Sequence, residues 1–159
     1  ISRKTLRIRT REVPVPEVSR QLVADAERKL AGRQDTPEER LSRTRLEGAR
    51  ALAELGSADL AAEIDLPLTV VALGDIAWVH LPVELFASLG LRIKEASPFP
   101  VTRVIGYTDG YAGYVSDAEG YQLGCTEALL SLLTEGAGEV LVRESVALLD
   151  QARHERAPA

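Results

Sequence analysis

Residues 63–95 read EIDLPLTVVALGDIAWVHLPVELFASLGLRIKE, and the pattern of this stretch decides the fold. Ile64, Leu66, Leu68, Val70 and Ala72 share one side of an extended chain while Glu63 and Asp65 start on the other, the two-residue period of a strand. Gly74-Asp75 is turn chemistry, because glycine takes a positive φ at no steric cost, so residues 76–81 are expected to return as a partner strand. Pro82 then reads as a helix opener. Leu85, Phe86, Leu89 and Ile93 give that helix an apolar stripe until Ser97-Pro98 breaks it.

Working outward, residues 5–13 alternate Leu6 and Ile8 with arginines as a half-buried strand does, and Pro14 and Pro16 end it because proline has no amide proton for a ladder. A helix is expected over 17–31, with Val18, Leu22, Ala26 and Leu30 at four-residue spacing and Gly32 as its stop. Thr36, Pro37 and Glu39 form a capping-box signature for a second helix over 37–55, ended by Gly56. Downstream, residues 101–107 read as a strand. Four glycines and three tyrosines between 108 and 124 favour a structured loop, and Val140, Leu141, Val146, Leu148 and Leu149 give a buried face to a helix over 138–153. Alternating strands and helices make the class α/β or α+β, a mixed sheet with packed helices, and 159 residues suffice for one domain.

Nineteen basic residues face twenty-four acidic ones, a net charge of −5, so no global positive field would hold nucleic acid or an anionic membrane. Arg3, Lys4, Arg7, Arg9 and Arg11 are locally basic but alternate with apolar residues, the pattern of a solvated strand face. A single cysteine, Cys125, rules out an intrachain disulfide and a cysteine-based zinc knuckle. No apolar run reaches the roughly 18 residues of a membrane span, and no signal peptide is visible. The chain starts at Ile1 and has no methionine, which reads as a fragment, a processed chain or a split subunit. Nothing in the sequence assigns a compartment.

The junction His80-Leu81-Pro82-Val83-Glu84 delivers a strand end into an expected helix start, a place where ligands often bind. A carboxylate in a first helical turn also has a plain electrostatic reason to be there. His80 belongs to the strand, so helical four-residue metal geometry with Glu84 does not apply. His154 lies in a charged tail. Tyr111 and Tyr114 sit three apart in a glycine-rich turn, with Tyr121 seven residues further on. This loop can line a polar pocket, and it fits ordinary packing onto the core equally well. Cys125 has no neighbouring base or cation in sequence and reads as an inert thiol.

The segment Leu81-Pro82-Val83-Glu84-Leu85-Phe86, the strand near Val104, and Gly110-Tyr-Ala-Gly-Tyr-Val-Ser-Asp-Ala-Glu-Gly-Tyr-Gln122 together resemble the end of the catalytic domain in neutral, non-lysosomal ceramidases and their shorter bacterial relatives. The resemblance spans residues 81–127. It implies that this chain is the C-terminal portion of a single ceramidase-like domain whose N-terminal half lies outside it. It also implies a zinc-dependent hydrolase of an amide (N-acyl) bond, with Glu84 and Tyr114 as metal ligands and Tyr111 and Tyr121 shaping the pocket. Two histidine ligands would come from the N-terminal half of the same protein or from a partner chain. Zinc binds such nitrogen and oxygen donors at about 2.0–2.2 Å and keeps a position open for water. A non-catalytic small-molecule or protein-binding module on the same fold is the alternative. Two positions depart from the family pattern: Val83 replaces the usual glycine before the glutamate, and Thr126 stands before Glu127 where a tyrosine is expected, with a shorter reach than a phenol. Glu84 and Tyr114 should therefore meet in space despite their separation in sequence.

Overall fold

The computed structural model describes residues 1–11, 16–30, 37–55 and 61–155. The expected stop and cap signals at Val13, Pro14, Gly32, Thr36 and Gly56 lie outside these described residues.

A four-stranded sheet carries the molecule, with β1 (Ser2–Arg9), β2 (Glu63–Leu73), β3 (Ile76–His80) and β5 (Val101–Ile105) in the order β1-β2-β3-β5. The β1-β2 and β2-β3 pairs are antiparallel and β3-β5 is parallel, so the sheet is mixed. The two-residue period sets the register: Leu6 faces Leu66 and Val70 faces Val79, which puts apolar side chains in rows on one face. Gly74 takes φ 57° at the hairpin. Pro67 is tolerated within β2 because β3 pairs only with Thr69–Leu73 and leaves that part of the strand without a ladder on one side. β1 begins at Ser2 and ends at Arg9, earlier than the alternation of Leu6 and Ile8 alone predicts.

The last helix, α6 (Ala137–His154), lies across the apolar face and buries Leu141, Leu148 and Leu149. Lys4 reaches from β1 to Glu144 on that helix at 2.6 Å. Leu89 and Ile93 of α3 (Ala87–Glu95) pack beside it, fully buried, with Leu68, Val70 and Val79 from the sheet. Two earlier helices, α1 (Pro16–Leu30) and α2 (Pro37–Leu55), pack on each other, and α2 also packs on the short α5 (Thr126–Leu130). Arg11 holds the end of α5 by donating to the carbonyls of Ala128, Leu129 and Ser131 at 3.2, 3.0 and 3.4 Å. No helix among the described residues is long and apolar enough to cross a membrane.

Two expectations need correction. Pro82 does not open a helix: α3 starts at Ala87, and Glu84–Leu85 form a short strand, β4, paired in parallel with β6 (Tyr114–Val115). The backbone amides of Glu84 and Phe86 donate to Gly113 and Val115 at 2.9 and 3.0 Å, and the Pro82 and Val83 carbonyls that a helix opening here would need as acceptors are taken by the amides of Ala112 and Tyr107. Nor is the stretch 108–124 irregular throughout. After β6 it forms α4 (Ala118–Leu123), capped by Asp117, whose carboxylate accepts the Gly120 amide at 2.8 Å.

Packing of α6 against α3 gives a prediction with an unusual sign. A glycine to alanine change within a helix normally stabilises by up to about 1 kcal/mol. A Cβ on Gly138 would lie 2.6 Å from Leu89 Cδ1 and 2.9 Å from the Ser116 carbonyl oxygen, whereas one on Gly90 meets nothing within 4 Å. Urea denaturation should therefore show Gly138→Ala destabilised by roughly 1–3 kcal/mol, the usual cost of overpacking, and Gly90→Ala unchanged or stabilised. Equal midpoints for the two variants would contradict this packing.

Candidate functional site

Strand β3 ends at His80, and the chain then bends through Leu81, Pro82 and Val83, all buried, before Glu84 emerges at a surface. The loop after β5 folds back over this segment. Tyr107 and Thr108 donate their backbone amides to Val83 and Leu81 at 3.4 and 3.1 Å, and Ala112 donates to Pro82 at 2.7 Å. Gly106 makes the approach possible, since a Cβ there would come 2.7 Å from the Val83 carbonyl oxygen. The β4-β6 pairing then sets Glu84 directly opposite Tyr114.

Two phenols converge on the Glu84 carboxylate, Tyr107 donating to Oε2 and Tyr111 to Oε1, and Tyr114 lies beside it across the β4-β6 pair. The Tyr107 and Tyr111 rings stack with centroids 5.8 Å apart and planes within 6°. These hydrogen bonds, from Tyr107 first and then Tyr111, hold the Glu84 carboxyl below its ordinary range against a smaller opposing effect of desolvation. In return the Glu84 acceptor pushes Tyr107 up to about 12 and raises Tyr111 and Tyr114. At neutral pH the cluster is therefore one carboxylate and three neutral phenols.

A cleft of about 600 Å³ opens beside this cluster, with Glu84, Tyr107, Tyr114, Lys94 and Glu127 supplying polar groups and Leu85, Phe86, Leu91 and Val104 apolar wall. That size and mixture suit a small molecule. Glu84, Tyr111 and Tyr114 come together, whereas Tyr121 does not join them: its phenol donates to the Leu133 carbonyl at 3.2 Å. Leu133 forms an isolated bridge with Thr10, just past the end of β1, so Tyr121 fastens α4 to the sheet edge. His80 is half-buried at the end of β3, and His154 is exposed with its ring against the Asp150 carbonyl at 2.7 Å. Cys125 is half-buried at the start of α5.

Among the described residues no three His, Cys, Asp or Glu side chains gather into one group. Among the cleft's oxygen donors, which also include Glu127 and Tyr107, the Glu84 carboxylate and the Tyr114 phenol are set side by side by the β4-β6 pair. Both are oxygen ligands, and the ionised state of Glu84 suits a cation. The pair is compatible with part of a coordination shell and leaves the rest to groups from elsewhere. Sequence reasoning missed Tyr107, Lys94 and Glu127 as parts of the site. Tyr107 left no usable signal, since it closes an apolar run that reads as a strand.

Among solved structures, the chain resembles the crystal structure of neutral ceramidase from Pseudomonas aeruginosa, with a TM-score of 0.55 and 17% identity over 99% of this chain and 29% of that one. The fold is ceramidase-like. A second structure, a ceramidase complexed with C2, matches 59% of this chain and 15% of its own with a TM-score of 0.52 and 19% identity. The chain thus spans less than a third of the length of either solved ceramidase. No family model and no curated protein matches the sequence. Within this ceramidase-like fold, the phenol cluster, the cleft and the short parallel bridge fall together at one end of the sheet.

The electrostatics predict two titrations of opposite sign. Because the Glu84 pKa is depressed on folding, its contribution to stability is present above the ordinary carboxylate value of about 4.3 and is lost as pH falls through the lower folded value. Because Tyr107 is raised, the contribution of its neutral form is complete below about pH 10, the ordinary phenol value, and is lost as pH rises through about 12. A spectrophotometric phenol titration should show Tyr107 ionising about two pH units late in the parent and near the ordinary value in Glu84→Gln. Unchanged titration in that variant would remove Glu84 as the cause.

Proposed function

We propose that this chain supplies one edge of the active site of a zinc-dependent amide hydrolase, with Glu84 and Tyr114 as metal ligands. The observation that carries the reading is the parallel β4-β6 bridge, which sets a carboxylate kept ionised against a phenol at the mouth of a cleft. The ceramidase-like fold supports it. Zinc, when bound, supplies Lewis-acid polarisation of an amide carbonyl and activation of water. Of the residues in this chain, Glu84 provides the charged ligand and Tyr114 a second oxygen donor, while Tyr111 fixes one carboxylate oxygen of Glu84. Tyr121 shapes the site from behind by anchoring α4. The remaining ligands, histidines, come from outside these 159 residues, in the N-terminal half of the same protein or in a partner chain. The substrate is an N-acyl small molecule whose apolar part lies along Leu85, Phe86 and Leu91.

A non-catalytic binding module on the same fold is the second reading, and one observation favours it. Each oxygen of Glu84 is already satisfied by a phenol, Tyr107 on one and Tyr111 on the other, which occupies the carboxylate without a metal ion.

Isothermal titration of this chain alone should show weak zinc binding, because two oxygen donors leave most of the shell to water. A tight one-to-one site would mean that further ligands lie within the chain, with His80 the first suspect. Joined to the part that completes the fold, the protein should cleave members of a panel of N-acyl amides in a chelator-sensitive way. Glu84→Gln and Tyr114→Phe should each lower kcat/KM by more than about 100-fold, above the 10- to 100-fold typical of losing a group that merely supports a ligand. Cys125→Ser should have little effect. If no amide is cleaved, or Glu84→Gln matches the parent, the binding module takes the place of the amidase.

A further inference from the structure

The geometry points to Tyr107 as a positioning residue that, together with Tyr111, fixes the orientation of the Glu84 carboxylate. This inference rests on the reading of Glu84 as the working carboxylate of the site. Tyr107 and Tyr111 each take one oxygen of the carboxylate, and their rings lie parallel in a stack. A carboxylate held at both oxygens by two mutually stacked donors loses its freedom to turn about its last side-chain bond, freedom it would otherwise surrender only on meeting a ligand.

Two further observations separate this role from ordinary packing. Tyr107 and Tyr111 are 65% and 63% exposed, so neither ring belongs to the core. Tyr107 also has φ 57°, in the left-handed region that side-chain-bearing residues rarely occupy. Its neighbours hold it there. The backbone amides of Tyr107 and Thr108 are tied to Val83 and Leu81, and two residues on, Asp109 (φ 60°) accepts a hydrogen bond from Thr69 on β2 at 3.4 Å. A glycine would meet the backbone requirement of position 107 more easily than a tyrosine does. The tyrosine therefore occupies a strained position where its side chain reaches Glu84 and stacks on the other phenol that does so, and strain retained against an easier alternative is a mark of function.

The test uses Tyr107→Phe, which keeps the ring and loses the hydroxyl, and Tyr107→Gly, which loses both and relieves the backbone. In the metal-free chain, the ¹³C-carboxyl resonance of Glu84 should move in both variants. The urea midpoint should fall slightly in Tyr107→Phe, which loses the hydrogen bond to Glu84, and lie higher in Tyr107→Gly than in Tyr107→Phe because the backbone strain is relieved. In the completed protein, zinc affinity measured by chelator competition should fall about 10- to 100-fold in both, the range for groups that orient a metal ligand. A purely structural tyrosine would instead lower the midpoint most in Tyr107→Gly, in step with the affinity, and that outcome overturns the inference. So does a Glu84 resonance that stays at its parent position. If the completed parent protein binds no zinc, the amidase reading fails by itself, and the Glu84 resonance in the two variants still decides the role of Tyr107.

Discussion

Two backbone hydrogen bonds, from the amides of Glu84 and Phe86 to the carbonyls of Gly113 and Val115, are the constraint on which the site depends. They join two segments 30 positions apart and orient both. Strand side chains alternate between faces, so fixing the pair Glu84–Tyr114 toward the cleft also fixes Val83 and Val115 toward the core, where both are fully or almost fully buried. The bridge thus converts core packing into site geometry. Val83 and Val115 cannot shift without opening a cavity, and Glu84 and Tyr114 cannot separate without moving them.

The same bridge explains what was legible in the sequence. The β2-β3 hairpin could be read because its period-two pattern and its Gly74-Asp75 turn are local, and α6 could be read because its apolar stripe repeats over 18 residues. A strand of two residues has no period. Whether Glu84 is extended or helical is decided by the presence of Tyr114–Val115 alongside it, and Pro82 before an apolar stripe makes the helical choice look natural. The stripe itself was right for Leu89 and Ile93, which are buried in α3, but the helix begins at Ala87. α4 was obscured by composition, since glycines and tyrosines outweighed the capping signal of Asp117.

At the site, Glu84 was singled out by its strand-end junction and Tyr111–Tyr114 by their glycine-rich loop, each beside a plain structural reading, and Tyr107 was not singled out. Its sequence position, at the end of an apolar run, reads as the last residue of a strand. The strand in fact stops at Ile105, and the positive φ at Tyr107 turns the ring out of line and onto Glu84. Backbone sign changes at residues other than glycine leave little trace in composition. Tyr121 shows the converse: its spacing places it among the other phenols, yet it serves the segment around Leu133 instead. Spacing along a loop says which residues can be near one another, and the hydrogen-bond partners say which are.

The distribution of strain fits this division of labour. The two side-chain-bearing residues at positive φ among those described, Tyr107 and Asp109, both lie in the loop that covers the β3-to-β4 segment. The sheet and α6 below it are regular, with Leu68, Val70, Val79, Leu141 and Leu149 wholly buried. A loop can hold an unfavourable backbone only if its anchors are firmer than the strain is costly, about 1–2 kcal/mol for a left-handed residue of this kind. Here the anchors are the carbonyls of Leu81, Pro82 and Val83, three consecutive buried residues at the end of a central strand. That is why the phenol cluster can be exposed and still held in place: its backbone is fixed to the core beneath it.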